Sequence, residues 1–227
     1  MYSYGNFSES DGSKGSKFKP GVNDCFLKKF ELVTVQSDNY NGKALDLEFE
    51  INGEILPTRK FPIVKEKVAA LVKLNPDWYF KYVNKEKVLL TVDEVYARDV
   101  DKLSSWIRHV VSAYIGVEVY NNAISEWLSS MQGTEITFEM FVSLNKSLLP
   151  PHFKSIPAKV VLGYYKNSTY LTVPRAVSDG NFFSTELFND RTLVSPDSKN
   201  FKSVKFGDKI EQEPNTVDTV GDDIAPF

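Results

Sequence analysis

The sequence has little of what catalysis, metal binding or a membrane requires. It holds one cysteine, Cys25, in 227 residues. A lone cysteine excludes an internal disulfide and a multi-cysteine zinc site. Cys25 reads as a small, part-buried residue with no chemistry, at home in a reducing cytoplasm. There are two histidines, His109 and His152. Neither has a cysteine or carboxylate at metal-ligand spacing, and His109 reads as the flank of a helix. No glycine-rich phosphate loop and no nucleophile elbow occurs. The carboxylate pair Asp99 and Asp101 reads as helix capping, and Asp222 with Asp223 lies near the C-terminus. No apolar run approaches the roughly 20 residues of a membrane span. Residues 1–16 are polar and rich in Gly and Ser, without the apolar stretch of a signal peptide. These absences set the expectations: not an enzyme, no cofactor, no metal, no membrane, a cytoplasmic setting.

What is present is ordinary in bulk and uneven in distribution. Hydrophobic residues make up 42% and charged residues 25%, as in a soluble globular domain. Aromatics reach 13%, more than a core claims by default. The net charge of −3 argues at first against a nucleic-acid partner. Residues 208–227, however, carry six acidic side chains (Asp208, Glu211, Glu213, Asp218, Asp222, Asp223) and one basic, Lys209. That segment therefore holds −5, which leaves +2 on residues 1–207. A mildly basic body with a strongly acidic tail signals partner binding.

Residues 1–22 read as a disordered arm, basic through Lys14, Lys17 and Lys19. From Cys25 the pattern becomes strand-like. Phe30 and Leu32 oppose Lys29 and Glu31, and Leu45, Leu47, Phe49 and Ile51 alternate with Asp46, Glu48 and Glu50. Asn41-Gly42 and Asn52-Gly53 signal turns, and residues 54–63 form a third strand, weakened by Pro57 and Pro62. Residues 64–74 read as a short helix. A hairpin around Asn84-Lys85 is one reading of the ambiguous stretch that follows. Residues 99–114 make a helix capped by Asp99 and ended at Gly116. A second, with Ala123, Ile124, Trp127, Leu128 and Met131, closes at Gly133. A third is capped by Thr137 and carries Phe138, Phe141 and Leu148 up to Pro150. Alternation returns over residues 158–165, and after a turn at 166–168 a fifth strand covers residues 169–173. Residues 181–206 lack periodicity, and residues 207–227 form the acidic tail.

Three strands, a helix and two strands is the chain order of an OB-fold, a five-stranded Greek-key barrel. The expected fold is thus β-rich α+β: an OB-like barrel over residues 23–180 with a large helical insertion at about 64–152. An α+β domain with a separate helical lobe is the alternative. On such a barrel, nucleic acid uses the face of strands two and three and the first and last hairpin loops, with flat side chains for stacking and cations for phosphate. Those places hold Tyr40 and Lys43, then Arg59, Lys60 and Phe61, then Tyr165, Lys166, Tyr170 and Arg175. Against this, Asp46, Glu48 and Glu50 line the outward face of the second strand and repel phosphate. Either nucleic acid avoids that strand or the helical block covers it. Trp78, Tyr79, Phe80 and Tyr82, beside Lys81 and Lys85, read as a second small core between barrel and helices, or else as a further stacking platform. Trp106 and Trp127 read as core.

The last six residues are Asp222, Asp223, Ile224, Ala225, Pro226 and Phe227. They resemble the C-terminal tip of bacterial single-stranded DNA-binding proteins, where acidic residues precede Ile-Pro-Phe; phage proteins of the same role also end in an acidic stretch closed by Phe. Ala225 departs from that pattern. The resemblance covers the tail alone, and the helical insertion points to a phage-like member. It implies non-sequence-specific binding of single-stranded DNA during replication or recombination. It also implies recruitment of partner proteins through Asp222, Asp223, Ile224, Pro226 and Phe227, by docking of the Phe and its carboxylate in a basic-rimmed apolar pocket. Without DNA, the tail would compete weakly for the protein's own cationic groove. A homodimer, a protein-interaction module and an RNA-binding barrel stay open.

Overall fold

The computed structural model describes residues 18–37, 40–165, 171–173, 182–188, 193 and 204–205. Its first three strands, β1 (Gly21–Ser37), β2 (Tyr40–Ile51) and β3 (Glu54–Lys60), form the expected antiparallel meander. The second turn falls on Asn52-Gly53, with φ of 53° and 79°, the left-handed pair that a two-residue hairpin needs. The first turn does not fall on Asn41-Gly42. Both belong to β2, opposite Gln36 and Val35, and the chain reverses between Ser37 and Tyr40.

Between β3 and β6 (Pro157–Tyr165) lies the expected helical insertion. It contains α1 (Lys65–Leu74), the hairpin β4 (Phe80–Val83) and β5 (Glu86–Leu89), then α2 (Val92–Ile115), α3 (Val117–Ser130) and α4 (Phe138–Leu148). The hairpin turn is Asn84-Lys85, with φ of 51° and 71°. Thr137 caps α4 by accepting from the Met140 amide. Helix α2 starts seven residues before Asp99, at a capping box: the Thr91 side chain accepts from the Glu94 amide and Glu94 returns the bond. The early start escapes the sequence pattern because α2 serves two cores. Val95 packs with Val68 and Tyr79 in a small cluster, whereas Trp106, Ile107, Val110, Val111 and Tyr114 face the main one. Asp99 sits inside the helix, accepting from Arg98 Nε at 3.2 Å.

The sheet is curled and antiparallel, in the order β3-β2-β1-β6-β7. Strands β8 (Phe183–Thr185) and β9 (Val204–Lys205) also pair with β6, and β7 is Leu171–Thr172. The described residues form a mixed α+β protein with a curled half-barrel sheet, the separate β4–β5 hairpin and four α-helices. The sheet's inner face presents Leu27, Phe30, Leu45, Leu47, Phe49, Ile51, Val160 and Leu162, all buried. Helix α2 covers them. Alternation along each strand puts these side chains on one face; the register shift between Leu27 and Lys29 keeps Phe30 facing inward.

Two expectations change here. Residues 18–22, expected in the arm, belong to the fold: Phe18 packs on the core, and Gly21 and Val22 pair with Leu162 and Val161. Residues 182–185, expected to be irregular, complete the core. The Phe182 ring stacks on Trp106 at 4.8 Å. Phe183 lies 5.7 Å from both Phe49 and Tyr114, and the Thr185 hydroxyl donates to the Ala113 carbonyl. Two adjacent aromatics carry no periodicity, which is why the segment looked featureless. Cys25 is buried in the same core, which pushes its thiol far above the usual range. No helix of the described residues is long and apolar enough to cross a membrane.

Candidate nucleic-acid interface

The structure separates the residues that the sequence grouped. Arg59 and Lys60 are adjacent on β3, so they point to opposite faces. Arg59 is paired in register with Asp46, and its Nη2 donates to the Asp46 carboxylate at 2.9 Å. Lys60 stands opposite buried Leu45 and places its Nζ 4.1 Å from the Trp106 ring centre. The two cannot serve one binding surface.

Cations on neighbouring strands match the acidic face of β2. Lys29 Nζ lies 3.4 Å from Asp46 and 3.3 Å from Glu48, and Lys28 lies 3.6 Å from Glu50. Opposite charges on facing strands stabilise a sheet modestly. Partial burial alone would raise the Asp46 carboxyl. The hydrogen bond and charge of Arg59, with Lys29, outweigh it and hold Asp46 below the ordinary carboxylate range. Arg59 is therefore occupied, and a phosphate would have to displace Asp46 to reach it.

Tyr40 and Phe61 do come together, whereas Lys43, of opposite parity to Tyr40 along β2, points its side chain to the other face. The Phe61 ring meets Tyr40 edge-on, 4.9 Å between centres. The Tyr40 hydroxyl donates to the Lys43 carbonyl, so the ring folds back along its own strand. Gly42 makes this possible: a Cβ there would stand 2.9 Å from the Tyr40 hydroxyl. Lys43 donates to the Thr34 hydroxyl at 2.7 Å on β1. Lys67 of α1, a residue the sequence pattern did not single out, brings its Nζ to 5.6 Å from the Tyr40 ring centre. Its signal was present, since α1 starts four residues after Phe61 and Lys67 lies in its first turn. Burial, then the nearby Glu139, raises the Tyr40 phenol, which keeps it neutral at physiological pH. The cluster holds a fixed aromatic pair and one lysine, Lys67, at one corner of the sheet.

Tyr165 ends β6, opposite Val204. Lys166, Tyr170, Arg175 and the tail residues Asp222, Asp223, Ile224, Pro226 and Phe227 lie outside the described residues.

The dense aromatic run is not a single small core. Only Tyr79 is buried, with Val68 and Val95. Trp78 is 61% exposed, Phe80 38% and Tyr82 69%. Trp106 is buried and Trp127 half-buried. Among the described residues no three His, Cys, Asp or Glu side chains group as metal ligands. No protein-family model, curated protein or solved structure matches this chain.

Proposed function

We propose that this chain binds single-stranded DNA without sequence preference, on a half-barrel of OB type, and that its work is binding rather than catalysis. The observation that carries the reading is the Tyr40–Phe61 pair with Lys67. Bases of any identity stack on aromatic faces, and lysines follow the phosphates. The strand order agrees with an OB barrel, in which the first strand pairs with both the second and the fourth; here β1 lies between β2 and β6. The C-terminal Asp222–Phe227 sequence adds the family resemblance, with partner recruitment in replication or recombination as its role.

The test is a titration of full-length and tail-deleted protein with oligo(dT), duplex DNA and matched RNA across a salt series. Preference for the single strand is expected, with affinity falling steeply as salt rises, by about 0.7 log units per log unit of salt for each phosphate contacted. Tyr40→Ala and Lys67→Ala weaken binding. Deleting residues 218–227 strengthens it while abolishing partner capture. Absence of oligo(dT) binding at low salt by the tail-deleted chain refutes the proposal, and preference for RNA moves it to the RNA class.

A further inference from the structure

Residues 60–90 carry a charge of opposite sign to the chain as a whole. They hold seven lysines (60, 65, 67, 73, 81, 85, 87) against Glu66, Asp77 and Glu86, a balance of +4 in a chain of −3. The same segment carries Phe61, Trp78, Phe80 and Tyr82. In three dimensions it is α1 followed by the β4–β5 hairpin, which pairs with no strand of the main sheet.

The hairpin's two faces differ. Phe80 and Tyr82 alternate with Lys81, so they share a face, their rings edge to face with centres 5.4 Å apart. The register sets Leu89 and Lys87 opposite them, and Lys87 Nζ lies 4.8 Å from the Phe80 ring centre. Trp78 precedes this face in a short 3-10 turn. Three of the lysines meet acids, two of which lie just beyond residue 90: Lys65–Asp93 at 2.6 Å, Lys81–Glu94 at 2.6 Å and Lys87–Asp77 at 3.2 Å. These are exposed pairs, of a kind that contributes little and is screened by salt. Lys73 and Lys85 are exposed and make no ion pair with a described residue.

Helix α1 joins this surface to the first one. Its Lys67 reaches Tyr40, and Val68, one residue on, packs with Tyr79 at the foot of the hairpin. We propose that α1 and the β4–β5 hairpin form a second contact surface for single-stranded nucleic acid, stacking bases on Phe80 and Tyr82 and lengthening the path that begins at Tyr40 and Phe61. The inference rests on the function proposed above. A polyanion is favoured over a second protein chain because positive charge accompanies the exposed aromatics along the whole segment.

The test uses the full chain with fluorescein-labelled oligo(dT) of increasing length. Phe80→Ala with Tyr82→Ala is expected to leave the shortest bound oligonucleotide little changed. The same pair should lower affinity for long ones by about thirtyfold or more, the loss of two stacked bases, and shorten the occluded length. Lys73→Glu with Lys85→Glu, two surface changes that spare the folded core, gives the same length-dependent loss and a shallower salt dependence. Exposed Trp78 should report the contact: quenching of tryptophan fluorescence by oligo(dT) is largely lost in Trp78→Phe. Unchanged affinity and occluded length in both double variants, while the parent binds, overturns this inference and leaves the proposed function standing. Loss of self-association in the aromatic variant with unchanged DNA affinity also overturns it, making the hairpin a chain-to-chain contact. Failure of the parent chain to bind oligo(dT) overturns both.

Discussion

Two sets of aromatic side chains divide this molecule. Phe30, Phe49, Trp106, Tyr114, Phe182 and Phe183 are sealed between the sheet and α2, several of them ring against ring. Tyr40, Phe61, Trp78, Phe80 and Tyr82 lie half-buried or exposed, and lysines approach Tyr40 and Phe80. Residue type does not separate the sets; the supporting element does. Inner rings stand on strand faces and a helix stripe that oppose each other. Outer rings stand at a sheet corner and on a hairpin that has no second layer above it. An aromatic without a covering layer keeps a π-face for a ligand.

The largest expected effect tests the inner set. Phe183→Ala should cost about 3–5 kcal/mol, because it removes a buried ring and leaves a cavity, read as a lowered urea midpoint. Tyr82→Ala on the outer set should change stability by no more than about 0.5 kcal/mol. Similar losses at both sites would break the division.

The charge ladder lies between these extremes. Asp46→Asn should cost about 1 kcal/mol at neutral pH, the scale of a partly exposed ion pair, and should strengthen oligo(dT) binding by releasing Arg59. The carboxyl of Asp46 is held below its ordinary value. Its stabilisation is therefore complete above the unfolded pKa of about 3.9 and is lost as pH falls through the folded value. Urea midpoints of parent and Asp46→Asn should converge below that pH, and a gap that persists in acid contradicts the pairing.

Thr91→Ala removes one half of the α2 capping box and should cost about 1 kcal/mol by thermal melting. Gly42→Ala should have the smallest effect on stability, since the Cβ meets the far end of the Tyr40 side chain. It sharpens the comparison through binding instead. If Tyr40 must lie flat on the strand to hold a base, Gly42→Ala weakens oligo(dT) binding while the melting curve barely moves.

Much of the architecture was legible because periodicity records which face is buried. The alternation from Leu45 to Ile51 marked β2, and Thr137, Asn52-Gly53 and Asn84-Lys85 marked a cap and two turns. What escaped depends on contacts between distant segments. Asn41-Gly42 looked like a turn because Gly serves turns, yet Gly42 makes room for a ring. Val95 faces the small core, so the apolar stripe of α2 changed partner and hid its first two turns. Phe182 and Phe183 had no rhythm of their own; a core formed by other elements buries them. At the site, the nearness of Tyr40 to Phe61 was readable, while the turning of Lys43 toward Thr34 was not. The diversion of Arg59 to Asp46 and of Lys60 toward Trp106 needed the strand register.

Strand β6 also sets an order of events in time. It pairs with β1, bringing Asp24 beside Lys159 across 135 residues of chain, and also receives β8, β7 and β9, with Tyr164 standing between Leu171 of β7 and Lys205 of β9. The β1–β2–β3 meander and the helices can form from near neighbours, but the sheet cannot be completed until β6 has emerged and threaded between partners from both ends of the chain. Such distant pairing is slow. During synthesis, the β1 edge of the meander therefore waits unpaired until β6 leaves the ribosome, and the interval before β6 docks is when this chain is most open to misassociation.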